Sequence, residues 1–217
     1  MWDWSFAWQS LPTLIDGLGV TLQASVLASA LALVVGLVLA LVRISGIPVL
    51  SHLAIAFIEF LRGTPILIQL YFLFYVLPQF GVTLSALATG VLALGLSFSA
   101  YMAEVYRAGI QQVPTGQWEV ARVLGFRPRH MWAKVVLPQA VRNVIPPLGS
   151  YIVYMFKETA LLSVVTVHEL LASAQAMGAQ HYRYVEPLVL AAVLYFVISY
   201  PTAYGIRRLE GRLAHGS

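Results

Sequence analysis

Five long apolar runs, separated by short polar or basic breaks, make up most of this 217-residue chain. The first covers residues 18–42, about 25 positions, enough to cross a bilayer with some tilt. It stops at Arg43 and the breaker Ser45-Gly46-Ile47-Pro48. The second covers residues 53–77, carries Glu59 and is interrupted at Arg62-Gly63-Thr64-Pro65. A short uncharged turn follows at 78–82, then a third run at 84–106. The fourth covers 139–162 and holds Pro146-Pro147. The fifth covers 187–204, ahead of Arg207, Arg208 and Arg212. This spacing predicts five membrane-spanning helices in one domain, residues 1–217, of an all-α polytopic protein. The short alternating segments of a membrane barrel are absent.

Two stretches break the apolar pattern. Residues 107–137 form a long polar, basic loop, and 163–186 form a second loop. In the first, Thr115 after Pro114 is expected to cap a short helix with Glu119 in its first turn. Trp118, Ala121 and Leu124 recur at helical spacing as a narrow apolar stripe. Gly125 then allows a left-handed stop, and Pro128 suits the first turn of a second helix. The product is an elbow of two short helices with basic flanks. Such a helix fits a partner's groove or lies on the lipid surface, and spacing leaves both readings open. In the second loop, Thr166-Val167-His168-Glu169 reads as a capping box opening a helix that ends at Gly178. That helix either closes over the path or merely covers the bundle.

Composition agrees with this layout. Hydrophobic residues make up 59% and charged residues 10%, against roughly 25% charged in soluble domains. The chain has no cysteine, which excludes disulfides and thiolate metal sites; no metal ligand set and no catalytic residue is assigned. The net charge of +4 does not point to nucleic acid, because the basic residues lie in loops between spans. Arg43, Arg107, Arg122, Arg127, Arg129, Lys134, Arg142, Arg207, Arg208 and Arg212 fall on one side; the other has mainly Arg183, with Lys157 near a span end. The positive-inside rule then places the N-terminus outside and the elbow and C-terminus in the cytoplasm. The N-terminal segment lacks a basic start and reads as an interfacial belt of Trp2, Trp4 and Trp8 rather than a cleaved signal.

The basic loop resembles the EAA loop of ABC importer permeases. That pattern runs Glu-Ala-Ala, three residues, Gly, nine residues, Ile, one residue, Leu-Pro. Glu119, Ala121, Gly125, Val135, Leu137 and Pro138 stand in its register, with Val120 replacing the middle Ala and Val135 the Ile. Three further segments resemble the polar amino-acid uptake branch of that family: Phe60-Leu61-Arg62-Gly63-Thr64-Pro65, the stretch from Ser99 through Tyr101, Glu104 and Arg107 to Gly109, and Lys157-Glu158-Thr159-Ala160-Leu161. The resemblance covers nearly the whole chain. It implies the type I importer transmembrane fold and docking of Glu119, Ala121, Gly125, Leu137 and Pro138 on a cytoplasmic ATPase dimer. It implies a second permease subunit, identical or similar, and an external solute-binding protein. The chain lacks a Gly-x-x-x-x-Gly-Lys-Ser/Thr loop, so ATP and magnesium belong to the partner ATPase. The implied location is a bacterial inner membrane.

Ionisable groups inside spans mark pathways by default. Glu59, Arg62, Glu104, Lys157 and Glu158 are the candidates, joined by Thr64 at the helix break, Tyr101, and Thr159 of the family motif. Arg62 facing a carboxylate and a glutamate facing an amine would suit a zwitterion such as an amino acid or a compatible solute. The alternative is that Glu59 pairs with Arg62, and Glu104 with Arg107, at helical spacing. A secondary transporter or channel would explain the charges but not the elbow. An intramembrane serine protease would use Ser97 of Gly95-Leu96-Ser97-Phe98, yet His52, His130, His168, His181 and His215 all lie outside mid-span.

Overall fold

The computed structural model describes residues 2–214, in which all regular structure is helical. Helix α1 (Trp4–Ile44) runs unbroken for 41 residues, about 61 Å, twice the roughly 30 Å of hydrocarbon. It starts well before residue 18, where the apolar run begins. The cause is Asp3, whose carboxylate accepts the N–H groups of Ser5 at 2.9 Å and Phe6 at 3.3 Å. Orphan amides at a helix start need such an acceptor.

Helix α2 (Pro48–Gly63) and α3 (Ile66–Tyr71) meet at 101°, so the second apolar run is a bent pair and not one straight span. Thr64 is extended at the break (φ −111°, ψ 138°), the geometry that a following proline favours. The broken ends are largely satisfied from within. Gln69 Nε2 donates to the Leu61 carbonyl at 2.8 Å, the Thr64 carbonyl at 3.2 Å and Thr64 Oγ1 at 2.9 Å. Beyond α3 the chain continues through a π turn (Phe72–Val76) and a 3-10 turn (Leu77–Phe80). A second π turn, Trp132–Val136, has the same cause. Pro78 and Pro138 would each drive the ring against the carbonyl four residues back, Phe74 and Lys134. Both of those residues sit inside a π turn, which widens the helix there.

Helix α4 (Ala86–Gln111) forms the largest seam of the bundle, against α1. Ala24, Ala28, Ala32, Gly36 and Ala40, spaced by four, are all buried in α1. A Cβ on Gly36 would lie 2.9 Å from both Met102 Cβ and the Ser99 carbonyl, so only glycine permits this approach. Small residues are what let membrane helices pack closely.

The elbow contains α5 (Thr115–Val123) and α6 (Pro128–Met131). Its second arm is not separate from the fourth span. Helix α6, the π turn and α7 (Leu137–Glu158) form one rod with the 3-10 turn Thr159–Val165, from Pro128 to Val165. Pro146 and Pro147 lie inside α7 without ending it. The loop expected from residue 107 is shorter, because α4 persists to Gln111.

At the opposite end α8 (Leu170–His181) departs from the capping-box reading. Thr166 adopts the left-handed region (φ 63°) and Val167 is buried. Glu169 is itself the cap, accepting the N–H groups of Leu171 at 2.9 Å and Ala172 at 2.7 Å, and the hydroxyl of Tyr195 at 2.8 Å. Gly178 does not end the helix; the Tyr184 ring packs on it, and the chain turns at Tyr182 (φ 54°). Helix α9 (Val185–Ala214) completes the bundle. Among the described residues four helices are long and apolar enough to span, and five with the bent pair counted as one.

Charge is segregated along this bundle. Eleven of the 13 lysines and arginines lie in the elbow half with four of the nine acids, leaving a net +7 there and −3 in the other half. The far end is latched by Asp3, Arg183 and Glu186. Arg183 Nη1 donates to Asp3 at 2.9 Å, its Nη2 pairs with Glu186, and its guanidinium lies 5.3 Å from the Phe6 ring centre. The Ser5 hydroxyl (2.6 Å), the Phe6 N–H and Arg183 hold Asp3 down to about 2, against an ordinary 3.8. A depressed carboxylate stabilises the fold above its unfolded value and loses that contribution as pH falls through its folded one. The latch is therefore intact above pH 4 and is expected to release between about pH 4 and 2. Tryptophan emission from Trp2 and Trp4 should shift in that window; the shift should be smaller in Asp3→Asn, which leaves only Glu186 to titrate against Arg183, and absent in Asp3→Asn with Glu186→Gln.

Candidate functional site

The elbow is organised by its left-handed corner. Gly125 (φ 72°) donates its N–H to the Arg122 carbonyl at 2.9 Å, and Phe126 donates to the Ala121 carbonyl at 3.0 Å. This paired closure ends α5 and turns the chain into α6. Thr115 is the first helical residue rather than the cap, because extended Pro114 occupies that place. Glu119 therefore lies beyond the first turn and is exposed.

A small core holds the two arms together. Val113, Ala121, Met131, Val136 and Ala140 are buried with Ile110, Trp118, Trp132 and Val135 around them. Trp118 meets Trp132 edge to face at 5.3 Å. The expected stripe is thus split: Ala121 faces inward, whereas Leu124 faces out. Val120, Val123, Leu124 and Phe126 are all exposed, with Glu119, Arg122 and Arg127 among them. Leu137 and Pro138, on the second arm, are exposed as well. An apolar knob with a charged rim is the composition of a docking surface.

A second cluster lies where α2, α4 and α7 meet. The Arg62 guanidinium sits 5.6 Å from the Tyr101 ring centre, and Tyr101 stacks on Tyr151 at 5.7 Å. Phe98 joins this group, 5.8 Å from Tyr154. Lys157 Nζ lies 5.7 Å from the Tyr154 ring centre. Glu59 and Arg62 pair at 3.6 Å while remaining exposed. One face thus carries an arginine and a lysine at the edges of a tyrosine-rich patch, with Glu59 and Glu158 beside them.

The other sequence candidates sit apart from that face. Thr159 is fully buried, and its hydroxyl donates to the Phe156 carbonyl at 2.7 Å. Thr64 Oγ1 donates to Phe60 and accepts from Gln69. Glu104 is held by two arginines, Arg107 and Arg43. Ser97 Oγ is buried without a hydrogen-bond partner among the described residues, so none of the four described histidines bonds to it; His215 lies outside those residues.

Residues 32–215 match the family model described as binding-protein-dependent transport system inner membrane component. The chain is 42% identical over 209 residues to a probable amino-acid ABC transporter permease protein, y4tG, of Sinorhizobium fredii (strain NBRC 101917 / NGR234), covering 96% of this chain and 90% of that one. This chain belongs to that family. The permease is also 34% identical to the glutamine transport system permease protein GlnP of Escherichia coli (strain K12), covering 97% of both. Its fold matches a chain of a solved amino acid ABC transporter with histidines at a TM-score of 0.93, with 37% identity over 98% of this chain and 99% of that one. A chain of the MetNI methionine ABC transporter shares the fold at a TM-score of 0.69 and 20% identity, over 96% of this chain and 99% of that one.

The permease's aromatic patch was only partly legible. Tyr101 stood out as a tyrosine beside charged positions, whereas Tyr151 and Tyr154 did not. Their signal was present: Tyr151, Tyr154, Lys157 and Glu158 share one helical face at spacings of three and four.

Proposed function

We propose that this permease subunit forms half of the pathway by which an ATP-driven importer takes up a polar amino acid or a similar small zwitterion. The observation that carries the solute class is the face described above. Arg62 and Lys157 offer cations to a carboxylate, Glu59 and Glu158 offer anions to an amine, and Tyr101, Tyr151 and Tyr154 offer amphipathic surface between them. The relatives named for amino-acid and glutamine transport support the same class. Two such subunits, identical or similar, would face each other across the path. The elbow would dock in a cytoplasmic ATPase dimer that binds ATP and magnesium. An external binding protein would deliver solute at the Arg183 end. The +7 of the elbow half supports a cytoplasmic elbow and C-terminus and an external N-terminus.

The test is purification in mild detergent with the encoded ATPase, then reconstitution into liposomes with the binding protein. Co-purification of the ATPase and ATP-dependent uptake of a labelled polar amino acid are expected. Uptake by the permease alone, without ATP, would overturn the reading in favour of a secondary carrier or channel.

A further inference from the structure

We propose that Glu104, clamped between Arg43 and Arg107, is a positioning residue that makes α1 and α2 follow the elbow when it moves. This rests on the coupling reading above and goes beyond it, since Glu104 then acts on helices rather than on solute. Each of its two oxygens faces a guanidinium. Oε2 receives Arg107 Nε at 3.0 Å and Nη2 at 2.7 Å, and Oε1 faces the Arg43 guanidinium. All three side chains are only about a quarter exposed or less (26% at most), so screening is weaker than on an open surface.

The clamp joins elements that are distant in sequence. Arg43 ends α1, and its carbonyl accepts the Ser51 hydroxyl of α2 at 2.9 Å. Directly above lies an apolar layer of Ala40, Ile58, Leu61, Ala100 and Ala103, drawn from α1, α2 and α4. On the elbow side, Arg107 continues to Gln111 in the last turn of α4. Ile110 of that turn packs on the elbow core beside Trp118 and Trp132. Asn143 of α7 donates to the Gly109 carbonyl at 3.3 Å. Packed contacts thus run without a gap from the elbow to α4 and on to α1 and α2, and Glu104 adds a charged tie at the elbow end of that apolar seam. An isolated loop that only gripped the ATPase would not need this connection. A pathway of contacts becomes coupling only if breaking it uncouples two events, which sets the experiment.

The complete transporter, with ATPase and binding protein, is assembled in nanodiscs with Arg43→Gln, Glu104→Gln, or the exchange Arg43→Glu with Glu104→Arg. ATP hydrolysis is read with and without solute-loaded binding protein. Arg43→Gln is expected to keep wild-type ATPase stoichiometry and basal hydrolysis but to lose at least about fivefold of the stimulation, the lower range of measured couplings. The exchange is expected to recover much of that loss, as a purely destabilised variant would not. The chain has no cysteine, so with cysteine-free partner subunits spin labels at Leu41→Cys and at Ala133→Cys, exposed on the second arm of the elbow and outside the knob, report selectively. Their separation should stay fixed between nucleotide states in the otherwise unmodified protein and broaden in Glu104→Gln. Wild-type stimulation in both single variants would overturn the clamp, as would a raised KM for uptake with stimulation intact, which would mark a solute site. Failure of the unmodified chain to retain any ATPase would instead overturn the importer reading itself.

Discussion

Replacing Gly125 with valine is expected to reduce ATP-driven uptake by about tenfold or more while leaving insertion and detergent-phase unfolding of the permease nearly unchanged. Gly125 adopts φ 72°, and the space around its missing Cβ is open. The cost is therefore conformational, not steric. A left-handed residue costs about 1–2 kcal/mol with a Cβ, more when the side chain is β-branched. The chain can escape that cost by abandoning the paired bonds from Gly125 to Arg122 and from Phe126 to Ala121. The two arms of the elbow would then lose their angle, with no effect on the distant α1–α4 seam. Each 1.36 kcal/mol is tenfold in a rate, so the penalty suffices if docking geometry limits coupling. Asparagine tolerates this region and is expected to restore most activity. Wild-type uptake with valine would show that the corner's geometry does not matter to coupling.

The second large effect concerns the exposed knob. Val123 and Leu124 are 87% and 66% exposed, so changing both to glutamate should leave the permease's own stability almost untouched. Burying two such side chains in a partner would contribute about 1.5–3 kcal/mol each, and placing charges there would add a desolvation cost. The double variant is therefore expected to lose ATPase on size-exclusion chromatography while the permease elutes unchanged. Retention of ATPase at wild-type stoichiometry would favour the other reading of this amphipathic stretch, that its apolar face rests on lipid.

Local chemistry specified much of this protein. The five apolar runs, the basic elbow and its corner at Gly125 follow from hydropathy, from charge distribution and from a residue without a Cβ. These are properties of short segments, and neighbours do not alter them. The pairing of Glu59 with Arg62, and of Glu104 with Arg107, was likewise one of two open readings, since residues three apart share a helical face.

What remained depended on contacts between distant segments. Asp3 extends α1 well beyond its apolar run, and Arg183, 180 positions away, holds it. Glu169 rather than Thr166 caps α8, because burial of Val167 sets the backbone ahead of it. The tyrosine face brings together α2, α4 and α7, and Glu104 acquired its second arginine from α1. Hydropathy and periodicity describe how a segment meets its solvent. Which segment replaces that solvent is settled by packing across the bundle, where Gly36 admits α4 so closely that α1 and α4 share one seam.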